Sequence, residues 1–144
     1  MIRASRTCCL ILMALAGAAW AAPQEHPAPL ANVPETTAKK LQEALGEGQK
    51  ILIIDVRSPA DYAAGHVPGA VNIPFVDFSK KFAELRVAKD TTVVTICDHG
   101  GRSSRAALEL RKLGYQTSSF CTLDSWKKQG YKIETGAQKP GRSS

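Results

Sequence analysis

Short, wholly apolar runs alternate along the chain with segments of helical spacing. Ile51-Leu52-Ile53-Ile54 and the β-branched segment from Thr91 to Ile96 show almost no polar alternation. A strand covered on both faces has that composition, so the runs point to a parallel sheet buried between helices. Ala70 to Ile73, closed by Pro74, and Gln116 to Phe120 read as further strands. Between the strands the period changes. From Pro34 onward, Ala38, Leu41, Ala44 and Leu45 share one helical face, and Gly46 or Gly48 stops the pattern. Ser58-Pro59 supplies an N-cap followed by proline at the first helical position, and Gly65 ends that short helix. Phe75, Phe78, Phe82 and Leu85 line up on another. From Ser103 to Leu113, Ala106, Leu110 and Leu113 point inward while Arg105, Glu109 and Lys112 point outward, and Gly114 closes the helix. Leu123 to Gln129 is a last short helix before Gly130. Strands alternating with helices predict an α/β domain of three layers around a mainly parallel sheet of about five strands.

The two ends depart from this pattern. Arg3 and Arg6 precede an uncharged apolar run from Cys8 to Ala16, and Ala19-Trp20-Ala21 offers the small-x-small site that signal peptidase needs. The run is shorter than the roughly 20 apolar residues of a spanning helix. Residues 1–21 are therefore expected to be a signal peptide cut after Ala21, giving a periplasmic or secreted protein with no stable membrane insertion. Residues 22–34 hold Pro23, Pro27, Pro29 and Pro34 and read as an extended linker. The domain is expected over 35–134, and 135–144 as a flexible tail.

Composition narrows the function classes. The 144 residues are 44% hydrophobic and 22% charged, which suits one globular domain and excludes disorder for most of the chain. The formal charge is +6, but the basic residues are scattered and only 6% of residues are aromatic. With no basic stripe or stacking platform, no nucleic-acid partner is expected. No metal site is expected either, because Cys97-Asp98-His99 is too compact for tetrahedral ligation and no matching pair lies elsewhere. Removal of the leader would leave two cysteines, Cys97 and Cys121, in a compartment where thiols tend to be oxidised.

The candidate chemistry lies at the end of the strongest strand. Ile96 is followed by Cys97-Asp98-His99-Gly100-Gly101-Arg102-Ser103 and then by a helix. Backbone N–H groups of a tight loop can converge on one point, and the start of the following helix adds partial positive charge. Arg102 adds a full charge. All three favour a nucleophilic Cys97 thiolate. Gly100 and Gly101 are expected to curl the loop with positive φ.

The loop resembles the active-site loop of the rhodanese sulfurtransferases, C-x-x-G-x-R-S. A second segment, Asp55 to Pro74, resembles that family's D-V-R-x-x-x-[ED]-[YF]-x-x-G-H-I-x-G-A-x-N-I-P signature almost throughout, and Trp126 to Gly130 is similar to its closing W-x-x-x-G. The resemblance spans roughly residues 35–134. It implies a rhodanese-like fold and a ping-pong sulfur transfer. Cys97 would take the outer sulfur of a donor such as thiosulfate and hold it as a persulfide stabilised by the loop from Asp98 to Ser103. It would then pass the sulfur to a thiophilic acceptor, such as cyanide, a thiol or a dithiol. No organic cofactor is implied, and a monomer is expected. Related cell-cycle-type phosphatases have a longer C-x5-R loop. The C-x4-R spacing here resembles the sulfurtransferase version.

Several residues carry alternatives. Arg102 serves the persulfide or ties the loop to a neighbouring carboxylate. Arg57 and Asp61 are expected to pair and fix the helix opening at Ser58, with Asp55 capping the strand end. His66 is read as holding its turn rather than as catalytic. His99 lies where it can influence donor access or proton balance. Asp98 puts a negative charge beside the nucleophile, unfavourable for an anionic donor unless His99, Arg102 or Arg105 offsets it. Cys121-Thr122 stands where the family usually has Gly-Gly. If Cys121 follows its strand, it is a possible resolving thiol for Cys97. A thiol–disulfide oxidoreductase using both cysteines, and a non-catalytic module that binds a partner or carries sulfur, therefore stand beside the sulfurtransferase reading. The first predicts loss of activity on removing either cysteine. The second predicts a stable persulfide with negligible turnover.

Overall fold

A computed structural model describes residues 27–116 and 118–138. The expected leader, the first linker residues and the end of the tail lie outside the described residues. Among the described residues, no helix is long and apolar enough to cross a membrane.

Four strands form one parallel sheet: β1 (Ile51–Asp55), β2 (Val71–Asn72), β3 (Thr92–Cys97) and β4 (Ser119–Thr122), in the order β2-β1-β3-β4. The sheet has four strands rather than about five. Among the described residues, the position beyond β4 is held by a single bridge from Glu35 to Phe120. Pro34 has no N–H to extend that pairing, and Thr37 already caps the next helix, so there is no room for a strand. The residues from Pro34 to Thr36 are thus extended, and the helix begins later than its apolar pattern suggests.

Helices α1 (Ala38–Gly46), α2 (Pro59–Ala64), α3 (Phe78–Glu84), α4 (Gly101–Lys112) and α5 (Leu123–Lys128) complete three layers, with a 3-10 turn at Phe75–Asp77. Period-two alternation along the central strands supplies both cores. Ile53, Val94 and Ile96 meet Leu41 of α1, Tyr62 of α2 and Trp126 of α5 on one face. Ile54, Val93 and Cys97 meet Phe78 and Phe82 of α3 and Ala106 and Leu110 of α4 on the other. Cys97 is therefore the last residue of a central strand, at the sheet's carboxyl edge, where helices begin.

The proline-rich segment is not a free linker where it is described. Leu30 packs with Val33, Ala107 and Phe120, and Val33 is buried. At the other end, the Gly136 N–H donates to the Ala63 carbonyl, so the first residues of the expected tail lie against α2.

Candidate active site

The loop from Cys97 closes on its own sulfur. The Gly100 N–H donates to Cys97 Sγ at 3.2 Å and the Ser103 N–H at 3.4 Å, while the Ser103 hydroxyl lies 3.3 Å from the same atom. The arrangement depends on Gly100, the N-cap of α4, whose φ of 91° lies in the left-handed region. Only Gly100 of the glycine pair has positive φ. Gly101 is already the first helical residue and is small for another reason: a Cβ there would overlap the Pro27 carbonyl. Ser103 is buried, and its carbonyl accepts from Thr95 Oγ1 at 2.7 Å, which fastens the helix start to β3. Donors aimed at one buried sulfur at a helix start form a cradle for an anionic sulfur species.

A carboxylate joins the loop to the neighbouring strand end. Asp98 accepts from Arg57 Nη1 at 3.3 Å through one oxygen and from Arg102 Nη2 at 3.3 Å through the other. Its charge is thus offset by two guanidinium groups, one of which, Arg57, sequence reasoning did not place there. Arg57 also grips Asp55 at 2.6 Å with both side chains buried, and donates to the Gly65 carbonyl at 2.7 Å. Burial works against the charged guanidinium, but the Asp55 hydrogen bond and the charges of Asp55 and Asp98 outweigh it and raise the pKa of Arg57. The expected Arg57–Asp61 pairing is not formed. Asp61 instead accepts from the Ser58 hydroxyl at 2.6 Å, and this bond first, helped by Arg57, lowers its pKa. The reason is local. Ser58 caps α2 by accepting from the Asp61 N–H, which holds the carboxylate at the helix start, away from the buried arginine.

His99 and Arg102 line a small recess over Cys97, with Gly101 and Pro27. His99 Nδ1 lies 2.6 Å from Asp124 Oδ2, a pairing with no signal in the linear sequence. Asp124 lies in the first turn of α5, and its N–H donates to the Asp98 carbonyl at 3.3 Å, so the next helix buttresses the loop. Arg102 ties the loop to Asp98 and also borders the recess. Asn72, also missed, donates to the Asp55 and Arg57 carbonyls, each at 3.0 Å, and so explains the asparagine in the long motif. His66 is packed away at 5% exposure, stacked on the Tyr62 ring with centroids 3.7 Å apart, with Nδ1 2.8 Å from the Tyr62 carbonyl.

The structure does not bring Cys121 to Cys97. Cys121 sits inside β4, not after it, and pairs with Ile96, one register step from Cys97. It belongs to the core on the opposite face of the sheet, and both thiols are free. Burial pushes the Cys121 thiol up, against smaller opposing effects of Ser125 and Thr122. Thr122, the other departure from Gly-Gly, caps α5 by accepting from the Ser125 N–H.

A buried cysteine at the carboxyl edge of a parallel sheet, with two loop N–H groups aimed at its sulfur, is an arrangement suited to stabilising negative charge on that sulfur. Comparison gives the family. The Rhodanese-like domain family matches residues 37–128, and the chain belongs to it. It is 32% identical over 83 residues to a sulfurtransferase from Allochromatium vinosum, covering 58% of this chain and 76% of that one. It is 39% identical over 62 residues to thiosulfate sulfurtransferase PspE of Escherichia coli, covering 43% of this chain and 60% of PspE. The match to the putative sulfur carrier protein YrkF of Bacillus subtilis, 30% identical over 85 residues, covers 59% of this chain but only 45% of YrkF. The human single-domain sulfurtransferase TSTD1 superposes with a TM-score of 0.56 at 26% identity, covering 67% of this chain and 96% of that one.

Proposed function

We propose that the protein transfers sulfane sulfur from thiosulfate to a thiophilic acceptor through a persulfide on Cys97. The observation that carries this reading is the convergence of the Gly100 N–H, the Ser103 N–H and the Ser103 hydroxyl on Cys97 Sγ within 3.4 Å. The thiolate attacks the outer sulfur of thiosulfate. The new Cys97 S–S bond forms as the S–S bond to the sulfonate group breaks, and sulfite departs with that electron pair. The terminal persulfide sulfur carries the remaining negative charge, and the loop donors are placed to stabilise it. An acceptor nucleophile then attacks that sulfur and returns Cys97 to the thiolate; with cyanide the product is thiocyanate. The cycle needs no metal or organic cofactor.

Kinship with thiosulfate sulfurtransferase PspE supports thiosulfate as a donor. The bonds of Asp98 to Arg57 and Arg102 lessen the repulsion its charge would present to an anion. Kinship with YrkF and the burial of Cys97 favour a second form of the same chemistry, in which the persulfide is carried rather than turned over. The thiol–disulfide reading has no such support, because Cys121 faces the other core. The leader-like sequence of residues 1–21 supports action outside the cytoplasm.

The test is the intact mass after thiosulfate treatment, followed by thiocyanate release with cyanide. One added sulfur in the wild type and the Cys121→Ser variant, but not in Cys97→Ser, is the expected result. Thiocyanate turnover separates enzyme from carrier. A wild type that gains no sulfur overturns the proposal.

A further inference from the structure

The segment before the domain crosses the mouth of the Cys97 loop. The Leu30 N–H donates to Ser104 Oγ at 3.0 Å, and Arg105 Nη1 reaches the Ala28 carbonyl at 3.5 Å. Pro29 lies so close to Gly100 that a Cβ there would stand 2.7 Å from the proline Cγ. Pro27 covers Gly101 in the same way and lines the recess over Cys97. That recess is about 10 Å3, room for one water-sized sphere. Cys97 itself is 2% exposed. The cover is lightly held: Pro27, Ala28 and Pro29 are exposed, and its fixed points are side-chain hydrogen bonds and the packing of Leu30. Such a segment can yield locally while Leu30 and Val33 stay anchored.

We propose that the strap from Pro27 to Leu30 determines specificity at Cys97, leaving room for one persulfide sulfur and turning away donors and acceptors bulkier than a small anion. The inference rests on the sulfur-transfer reading and names the substrate class of that site. Thiosulfate and cyanide need only a small displacement of Pro27. A thiol carried on a protein surface needs the whole strap lifted. In the permitted reaction cyanide takes the terminal sulfur, the persulfide S–S bond breaks, and Cys97 keeps the electron pair as thiolate. The two glycines fit this role, since side chains at 100 and 101 would push the strap away.

The experiment compares the intact chain with a chain shortened to begin at Pro29 and with the double substitution Pro27→Gly, Pro29→Gly. Each is loaded with thiosulfate, checked for persulfide by mass, and then offered cyanide or a reduced thioredoxin dithiol. The intact chain is expected to favour cyanide. Both altered chains should lower the cyanide-to-dithiol rate ratio by about tenfold or more, chiefly through a faster dithiol reaction. Persulfide formation with an unchanged ratio overturns the strap proposal alone. Absence of persulfide in all three chains overturns the function on which it rests. Should the altered chains not fold, alkylation of Cys97 in the intact chain decides, read on its peptide by mass. Iodoacetamide should outpace a polyethylene-glycol maleimide far more than it does on a free cysteine, and equal relative rates overturn the proposal.

Discussion

Cys97 and Cys121 stand one register step apart on adjacent parallel strands and point into different cores. Bringing the two sulfurs together would require a one-residue slip of β4, which would turn Phe120 and Cys121 to the wrong faces. Mild oxidation with diamide should therefore produce no intramolecular disulfide. Intact mass is expected to show no loss of two hydrogens, and both thiols should label after the protein is unfolded in alkylating reagent.

The burial of Cys121 has a pH consequence of definite sign. Its thiol ionises less readily in the folded protein than the ordinary value of 9.0, chiefly through desolvation. Its contribution to stability is therefore present in full below the unfolded value and is lost as pH rises through the ionisation of the folded thiol. Urea unfolding at pH 7 and pH 10 should show a larger loss for the wild type than for Cys121→Ala. The cavity left by the alanine acts at both pH values and cancels in the difference.

Arg57 is expected to be the most costly charged residue to remove. Its head group is buried against Asp55, so Arg57→Met leaves an unpaired buried carboxylate. Breaking a pair of that kind costs about 3–5 kcal/mol. Denaturant unfolding of Arg57→Met, Asp55→Asn and the double variant measures it, and the double variant should recover part of the loss.

Asp98 is predicted to affect substrate more than fold. Its side chain is 29% exposed and takes charge from both Arg57 and Arg102. Asp98→Asn frees those charges for an anionic donor. It should lower the KM for thiosulfate about threefold, the scale of a partly exposed ion pair. The difference should shrink as ionic strength rises.

The central sheet was legible because burial on both faces leaves a run such as Ile51 to Ile54 with no polar residue. Cys97 was legible because a nucleophile at a strand end followed by glycines and a helix is a local pattern. What sequence could not supply were contacts between segments far apart in the chain. Arg57 and Asp98 are 41 residues apart, and Leu30 and Ser104 are 74 apart. The Arg57–Asp61 pairing looked natural at four residues' spacing, yet Ser58 had a stronger claim on that carboxylate. Cys121 was misplaced by a strand boundary: ending β4 at Phe120 instead of Thr122 moved the thiol from the sheet interior to its edge.

Gly100 joins backbone, loop and strap, so its replacement by alanine should disturb all three. Its φ of 91° places a Cβ in the left-handed region, which costs an L-residue about 1–2 kcal/mol. The new methyl would also stand 2.7 Å from Pro29 Cγ and 3.0 Å from Phe120 Cε2. Phe120 is fixed in the core, so Pro29 gives way. Gly100→Ala is expected to lower stability by at least the backbone term, seen as a reduced urea midpoint. It should also rotate the residue 100 N–H away from Cys97 Sγ. Loss of one such donor typically lowers a rate by about a hundredfold or more. Gly46→Ala is the control. It lies at the end of α1, outside the left-handed region, with nothing within 4 Å of its added Cβ. It should leave both the midpoint and sulfur transfer close to the wild type.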